Sequence, residues 1–211
     1  MKQKSNSPSN SNDDSRKAIL RSSGIYAGSN FVSMFLRIIG GILTSRCVDP
    51  SVLGLYNGIG LVGGYVPFLQ LGVMNGLNRD LPVSIGKNDP ELSNRLTAAA
   101  QFWALCIATV LSFGLFGISI YYAITGQMDL AAGWLSHGIN VFGIIFATSF
   151  LETMFRASSN FPVLAGIRLT RMVASVVFVA FVYWFGWYGL CMRGALIAIV
   201  GLGLMWIKRP I

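Results

Sequence analysis

The chain has 211 residues, of which 54% are hydrophobic and only 11% are charged, and its formal net charge is +8. About 25% of the residues in an ordinary soluble domain are charged, so this chain lacks the polar residues to cover a soluble globule and is predicted to lie in a membrane. Its positive charges stand at the ends of apolar segments, where they orient helices in a bilayer, and we expect no nucleic-acid partner.

The first twenty residues are mostly Ser, Asn, Lys and Asp. Such a segment cannot bury an apolar core, so residues 1–20 are predicted to form a disordered cytoplasmic tail. No small-x-small cleavage motif follows the first apolar run, and we therefore expect no cleavable signal peptide. Residues 21–211 are predicted to form a single membrane domain.

Apolar segments of helical length follow the tail, and a helix needs about 20 residues to cross the hydrocarbon core. The predicted spans cover about 22–45, 52–77, 97–123, 130–152, 162–185 and 188–207. Gly63-Gly64 and Pro67 predict a bend in the second span, and a tight turn at Gly186–Gly189 separates the last two. The predicted fold class is an all-α integral membrane protein with a bundle of six transmembrane helices.

Basic residues cluster in alternate connections between these spans. With the N-terminus inside, the outer connections hold only Arg46. The basic residues of the predicted cytoplasmic segments are Lys2, Lys4, Arg16, Lys17, Arg21, Arg79, Lys87, Arg95, Arg156, Lys208 and Arg209. This asymmetry predicts a multi-pass protein of the cytoplasmic (inner) cell membrane with both termini in the cytoplasm. The stretch Phe68–Glu91, which changes from apolar to charged, is then the elbow between the second and third spans.

Arg37 lies near the middle of the first span, where an arginine costs about 2.5–3.5 kcal/mol on insertion scales. Tyr26, Asn30 and Ser33 share its helix face, because residues three or four apart lie above one another. This polar face is predicted to line a cavity in which Asn30, Ser33 and Arg37 bind substrate, with Arg37 as the anion-binding group. The alternative is that Arg37 extends to the outer headgroups.

The fifth span repeats this arrangement with Arg168, Arg171 and Ser175 on one face. Both arginines are candidates for substrate binding. Because they lie near the cytoplasmic end of the span, extension to the headgroups is again the alternative.

The fourth span carries His137, Asn140, Thr148 and Glu152 along a further polar face. An intramembrane histidine or carboxylate can relay protons or ions, so His137 and Glu152 are candidates for that role, and hydrogen bonding within the bundle is the alternative. Arg193, early in the sixth span, is predicted to be an interfacial anchor.

Catalytic and metal-binding patterns are missing from the sequence. Cys47, Cys106 and Cys191 are far apart and form no CxxC pair, which argues against a zinc site or a disulfide framework. With a single histidine and no nucleophile or phosphate-loop motif, the chain is not expected to be an enzyme or to bind a metal or cofactor.

Short motifs follow one another along the chain, especially within Leu43–Glu91. They are Arg46, Asp49-Pro50, Gly54-Leu55-Tyr56, Leu71-Gly72, Asn75-Gly76-Leu77, Arg79, Arg156-Ala157 and Arg209-Pro210. In this order they resemble the N-terminal lobe of the polysaccharide flippases (those for O-antigen and other lipid-linked oligosaccharides) in the multidrug/oligosaccharidyl-lipid/polysaccharide exporter superfamily. The resemblance extends over about residues 20–211.

The resemblance implies alternating access between two six-helix lobes that enclose a cationic cavity for a diphosphate and its sugars. It implies lipid-linked oligosaccharide and membrane lipids as partners, in polysaccharide or lipopolysaccharide biosynthesis, with Arg37 first among the cavity residues and Arg168 and Arg171 next. This chain matches one lobe only, so a second six-helix lobe is expected in a missing C-terminal half or in a partner chain.

Two other functions remain open. One is a drug or cation antiporter lobe of the same superfamily, which typically has an acidic residue in the first span, where this chain has Arg37. The other is a membrane assembly subunit that does not transport.

Overall fold

A computed structural model describes residues 8–208, with side chains described from residue 24 onward. The elements in chain order are α1 (Pro8–Cys47), α2 (Pro50–Leu69), α3 (Val73–Gly86), α4 (Pro90–Ile124), α5 (Met128–Gly143), a π-helical segment (Ile144–Leu151), α6 (Glu152–Ala157), α7 (Phe161–Val177) and α8 (Val179–Ile207). Residues 8–208 contain no strand.

The helices are those of a multi-pass membrane protein. The stretches long and apolar enough to cross a bilayer are Gly24–Cys47, Pro50–Leu69, Pro90–Ile124, Met128–Ala157 and Val179–Ile207. These five stretches agree with the predicted all-α membrane class. The segment predicted as the fifth span, 162–185, is not among them, because α7 itself has only 17 residues.

The predicted disordered tail lies partly outside the described residues, since residues 1–7 are not among them. From Pro8 onward the chain belongs to α1, which continues into the first predicted span. Extending an existing helix adds one hydrogen bond for each residue that is fixed, which is less costly than starting a new helix.

The second helix is shorter than its predicted span of 52–77. It ends at Leu69 because Leu71 (φ 48°) and Gly72 (φ 75°) adopt left-handed backbone conformations. The following helix, α3, is amphipathic and buries Met74, Leu77 and Leu81. The charged elbow is therefore largely helical rather than a loop.

Charged side chains of the elbow stay at its surface. Arg79 Nε lies 2.7 Å from Asp80 Oδ1, and this hydrogen bond lowers the pKa of the exposed Asp80 carboxyl group. Asp89 then caps α4 by accepting a hydrogen bond from the backbone N–H of Leu92 at 2.9 Å, which satisfies a donor that the helix start leaves free.

The chain reverses direction at Gly186, whose backbone (φ 53°, ψ −117°) interrupts the helical conformation of α8. A Cβ atom at Gly189 would collide with the carbonyl oxygen of Phe181, and Arg193 hydrogen-bonds to Ser175. The segments before and after Gly186 are therefore antiparallel neighbours. The reversal falls within the predicted turn at Gly186–Gly189.

Small residues allow the central helices to approach closely. Ser112 and Ser119 of α4 donate hydrogen bonds to the carbonyl oxygens of Gly138 and Ala131 in α5, at 2.9 and 2.7 Å. Small side chains and hydroxyl groups are typical of helix contacts within membranes. This core leaves α1 packed mainly against α7, with the π-helical segment and α6 beside them, and the candidate site lies at that junction.

Candidate functional site

A cavity of about 390 Å³ lies between α1, α7 and the helix that contains the π-helical segment. Seven of the nine described residues that line it are polar or charged, and the lining consists of Asn30, Ser33, Met34, Arg37, Thr148, Glu152, Arg168, Arg171 and Met172. Three guanidinium groups in this lining outnumber one carboxylate, which leaves a formal excess of two positive charges. The cavity is therefore suited to an anion.

The polar face of α1 points into this cavity. Asn30, Ser33 and Arg37 line it, while Phe31 and Phe35 on the other face are 69% and 66% exposed. Ser33 is only 6% exposed, and its hydroxyl group has no hydrogen-bond partner among the described residues. Arg37 likewise forms no hydrogen bond or ion pair within the described part of the chain. These two side chains leave polar groups free at the cavity wall.

Arg168 is held by groups from two other helices. Its Nη1 donates to Asn30 Oδ1 of α1, and its Nη2 donates to Glu152 Oε1 of α6. The Arg168 Cζ atom lies 5.0 Å from the centroid of the Tyr26 ring, and the Tyr26 hydroxyl donates to the same carboxylate oxygen at 3.3 Å. This cluster joins α1, α6 and α7.

Arg171 lies one helical turn further along α7 and is poorly satisfied. Its Nη1 is 3.5 Å from Thr148 Oγ1, and its buried Nε has no partner among the described residues. Gly201 of α8 makes room for it, because a Cβ atom there would lie 2.8 Å from Arg171 Nε. A buried donor left without a partner costs about 1–3 kcal/mol, and so this arginine is an incomplete site that a ligand could complete.

The π-helical segment Ile144–Leu151 aims side chains at the cavity. Ser149 Oγ donates to the Ile144 carbonyl oxygen at 3.3 Å and accepts from Gln70 Nε2 of α2 at 2.7 Å. Thr148 and Glu152 meanwhile line the cavity on the side of α1 and α7. π-Helical turns are rare in proteins, and those that occur are often found at functional sites. No residue pattern in the sequence indicated this segment.

His137 lies apart from the cavity. Its Nδ1 is hydrogen-bonded to the Gly133 carbonyl oxygen at 2.9 Å, and its ring centroid is 4.5 Å from that of Tyr56. The structure thus places His137 in a contact between α2 and α5 and does not bring it to Glu152. The π-helical segment between these residues changes the helical register that the sequence argument assumed.

Arg193, predicted to be an interfacial anchor, is held by hydrogen bonds to two other helices. Its guanidinium group donates to the Ser175 carbonyl oxygen at 3.0 Å, to Ser175 Oγ at 3.0 Å and to Thr44 Oγ1 at 2.6 Å. Thr44 is buried on α1, two turns beyond Arg37. Because α1 and α7 supply these acceptors, Arg193 links three helices of the protein.

The structure therefore brings six of the seven sequence-predicted site residues into one cavity and leaves His137 outside it. Thr148, Met34 and Met172 join the lining without having been assigned to the site from the sequence. Comparison with protein-family models, with curated proteins and with solved structures finds no match for the chain.

Proposed function

We propose that the chain is one lobe of a membrane flippase that binds the phosphate-bearing head of a lipid-linked oligosaccharide during polysaccharide biosynthesis. The observation that carries this proposal is the cavity with three arginines among membrane-spanning helices. A guanidinium group pairs with phosphate oxygens through two parallel hydrogen bonds. The family resemblance of Leu43–Glu91 supplies the glycan and its lipid carrier.

The unsatisfied groups of the cavity give this proposal its physical basis. The Nε of Arg171 and the hydroxyl group of Ser33 are buried donors without partners among residues 24–208, and the exposed guanidinium group of Arg37 forms no hydrogen bond or ion pair with those residues. An arginine near the centre of a bilayer costs about 2.5–3.5 kcal/mol on insertion scales. A multiply charged oxyanion would offset that cost by accepting from several of these donors together.

The proposed topology has six crossings. The segment 161–185 supplies the crossing that length and composition alone do not identify, and it runs antiparallel to the rest of α8 after Gly186. Because six is an even number of crossings, the start of the first helix and the end of the last helix lie on the same side of the membrane. The basic residues on that side support its assignment as the cytoplasmic side of the cell membrane, because cytoplasmic segments carry an excess of Lys and Arg.

A second lobe is part of the proposal. Met34 and Arg37 line the cavity on its α1 side, and Met34 is 62% exposed. One lobe supplies only one wall of a cavity that opens alternately to the two sides, and such opening needs a second bundle to move against. The excess of positive charge also disfavours a cation as cargo, which ranks the antiporter alternative lower.

Binding of a short-chain polyprenyl diphosphate tests the proposal. With the full chain in nanodiscs of uncharged lipid, calorimetric titration with farnesyl diphosphate should show saturable binding, and farnesol, which has no charge, should bind far less. Arg37→Ala should weaken binding about 10- to 100-fold, since a hydrogen bond to a charged group contributes about 1.5–3 kcal/mol and 1.4 kcal/mol is tenfold. Arg37→Lys should recover part of the loss, because it keeps the charge without the planar fork.

Arg46→Ala is the matched control. Arg46 lies in the last turn of the same helix and does not line the cavity. Its substitution should leave the affinity unchanged. Equal losses for Arg37→Ala and Arg46→Ala, or equal binding of farnesol and the diphosphate, would contradict the proposed site.

A further inference from the structure

Among the described residues, Glu152 supplies the one carboxylate of the cavity lining, and this carboxylate is bonded to one of the three arginines there. We infer that Glu152 is an internal counter-anion, which holds Arg168 while the cavity is empty and is displaced from it by a phosphate-bearing ligand. This inference rests on the proposed function. It makes Glu152 a residue that determines specificity, because it selects multiply charged oxyanions over monovalent ones.

Arg168 already donates hydrogen bonds to two acceptors in the empty cavity. Both of its terminal nitrogens are engaged, Nη1 by Asn30 and Nη2 by Glu152, whereas Arg37 and the Nε of Arg171 are free among the described residues. A phosphate group can bind Arg37 and Arg171 directly. A guanidinium group has five N–H donors, and the pair of parallel hydrogen bonds on the side of Glu152 passes to the phosphate when the phosphate replaces the carboxylate as the anion beside Arg168.

Glu152 cannot leave the site when it is displaced. Its side chain is 7% exposed, and charged or hydroxyl groups surround it. Tyr26 contacts it from α1, Arg168 and Arg171 face it from α7, and Arg156 follows it by one turn on α6, while Arg37 lines the same cavity three turns beyond Tyr26. The Tyr26 hydroxyl, already 3.3 Å from Glu152 Oε1, can hold the carboxylate after Arg168 has turned to the ligand.

Discrimination between anions follows from this competition. A carboxylate fixed beside Arg168 acts at an effective concentration on the order of millimolar or higher, so a free monoanion of similar chemistry competes poorly. A diphosphate carries more charge and more acceptor oxygens, and it contacts the two unpaired arginines as well. Glu152 therefore weakens the binding of every anion, but a diphosphate still binds because it makes more contacts than a monoanion.

Glu152→Gln tests the inference because it removes the negative charge and keeps nearly the same shape. With the chain in nanodiscs of uncharged lipid, its affinity for farnesyl diphosphate should rise about tenfold. Its affinity for farnesoic acid, a monoanion with a chain of similar length, should rise more, so that the ratio of the two affinities falls at least tenfold, as estimated from one removed ionic competitor. Glu152→Asp keeps the charge on a shorter stem and should give intermediate values.

A purely structural role for Glu152 predicts the opposite change in the affinity for the diphosphate. If Glu152 only orients Arg168 for the ligand, Glu152→Gln will bind the diphosphate more weakly, and this result, or unchanged affinity, overturns the inference. His137→Gln is the control, since His137 is buried in the same helical region but outside the cavity. It should change neither affinity.

The outcomes separate this inference from the proposed function. If the wild-type chain binds no diphosphate, both are overturned. If the wild-type chain binds it and Arg37→Ala weakens binding while Glu152→Gln does not strengthen it, only the counter-anion role is overturned. Thermal unfolding of each ligand-free variant identifies a folding defect, and Glu152→Asp then supplies the measurement for a Glu152→Gln protein that fails to fold.

Discussion

Replacement of Arg193 by leucine is expected to destabilise the helix bundle. The guanidinium group makes three hydrogen bonds, two to Ser175 of α7 and one to Thr44 of α1. A side-chain hydrogen bond within a membrane contributes about 0.6 kcal/mol on average and about 1.7 kcal/mol at most. The loss of all three should lower the free energy of unfolding by about 2–5 kcal/mol on that scale.

The acceptors of these bonds are not all stranded by the substitution. Thr44 Oγ1 also donates to the Gly40 carbonyl oxygen at 2.6 Å, so its hydroxyl group keeps one partner. Arg193→Lys retains the charge and a donor, but a single ammonium group cannot reach the Ser175 carbonyl oxygen, Ser175 Oγ and Thr44 Oγ1 together. We expect it to lose roughly half as much stability as Arg193→Leu, because one or two of the three bonds are lost.

Reversible unfolding in mixed detergent–lipid bicelles, followed by circular dichroism, measures these differences. Arg46→Leu is the control, since the exposed Arg46 forms no hydrogen bond or ion pair with the described residues and its substitution should shift the free energy of unfolding by less than about 0.5 kcal/mol, as surface changes usually do. An interfacial anchor would be served as well by lysine as by arginine. Stability equal to wild type for Arg193→Lys, or a loss below 0.5 kcal/mol for Arg193→Leu, would refute the reasoning from the three bonds.

Two further predictions concern topology and packing. With the native cysteines removed, a membrane-impermeant maleimide added from outside should label a cysteine at Gln127 and spare one at Asn88, and the reverse pattern would reject the proposed orientation. Gly138→Leu should lower the free energy of unfolding by about 1–3 kcal/mol or more, because a Cβ atom there collides with the Phe116 ring. Gly114→Leu, at an exposed helical position with no neighbour within 4 Å, should have little effect in the same unfolding experiment.

The sequence predicted the composition of the cavity better than its surroundings. Helical spacing alone placed Asn30, Ser33 and Arg37 on one face, and the structure has these residues lining one cavity. The same periodicity put Arg168 and Arg171 together on α7. Substrate binding by these residues stays a prediction, because position in a cavity does not identify a ligand.

Other features depended on contacts that a single segment does not encode. The end of α2 is set by a left-handed leucine, Leu71, and such a conformation is uncommon for residues other than glycine, asparagine and aspartate. The π-helical segment changes the direction of side chains between His137 and Glu152, which an argument from constant α-helical spacing does not describe. Arg193 was assigned to the interface because its acceptors, Thr44 and Ser175, come from distant parts of the sequence.

The reversal at Gly186 also bears on how the chain enters the membrane during synthesis. The segment before the turn contains α7, which has 17 residues and carries Arg168 and Arg171, so it is poorly suited to enter hydrocarbon alone, whereas the part of α8 after Gly186 is strongly apolar. Because the turn is so tight, no loop separates the two segments that would let them insert into the membrane one after the other. We expect the segments before and after Gly186 to enter as one helical hairpin, joined internally by the bonds from Arg193 to Ser175. Because α1 and Glu152 precede the hairpin in the chain, the acceptors for Arg168 are already in place when it arrives.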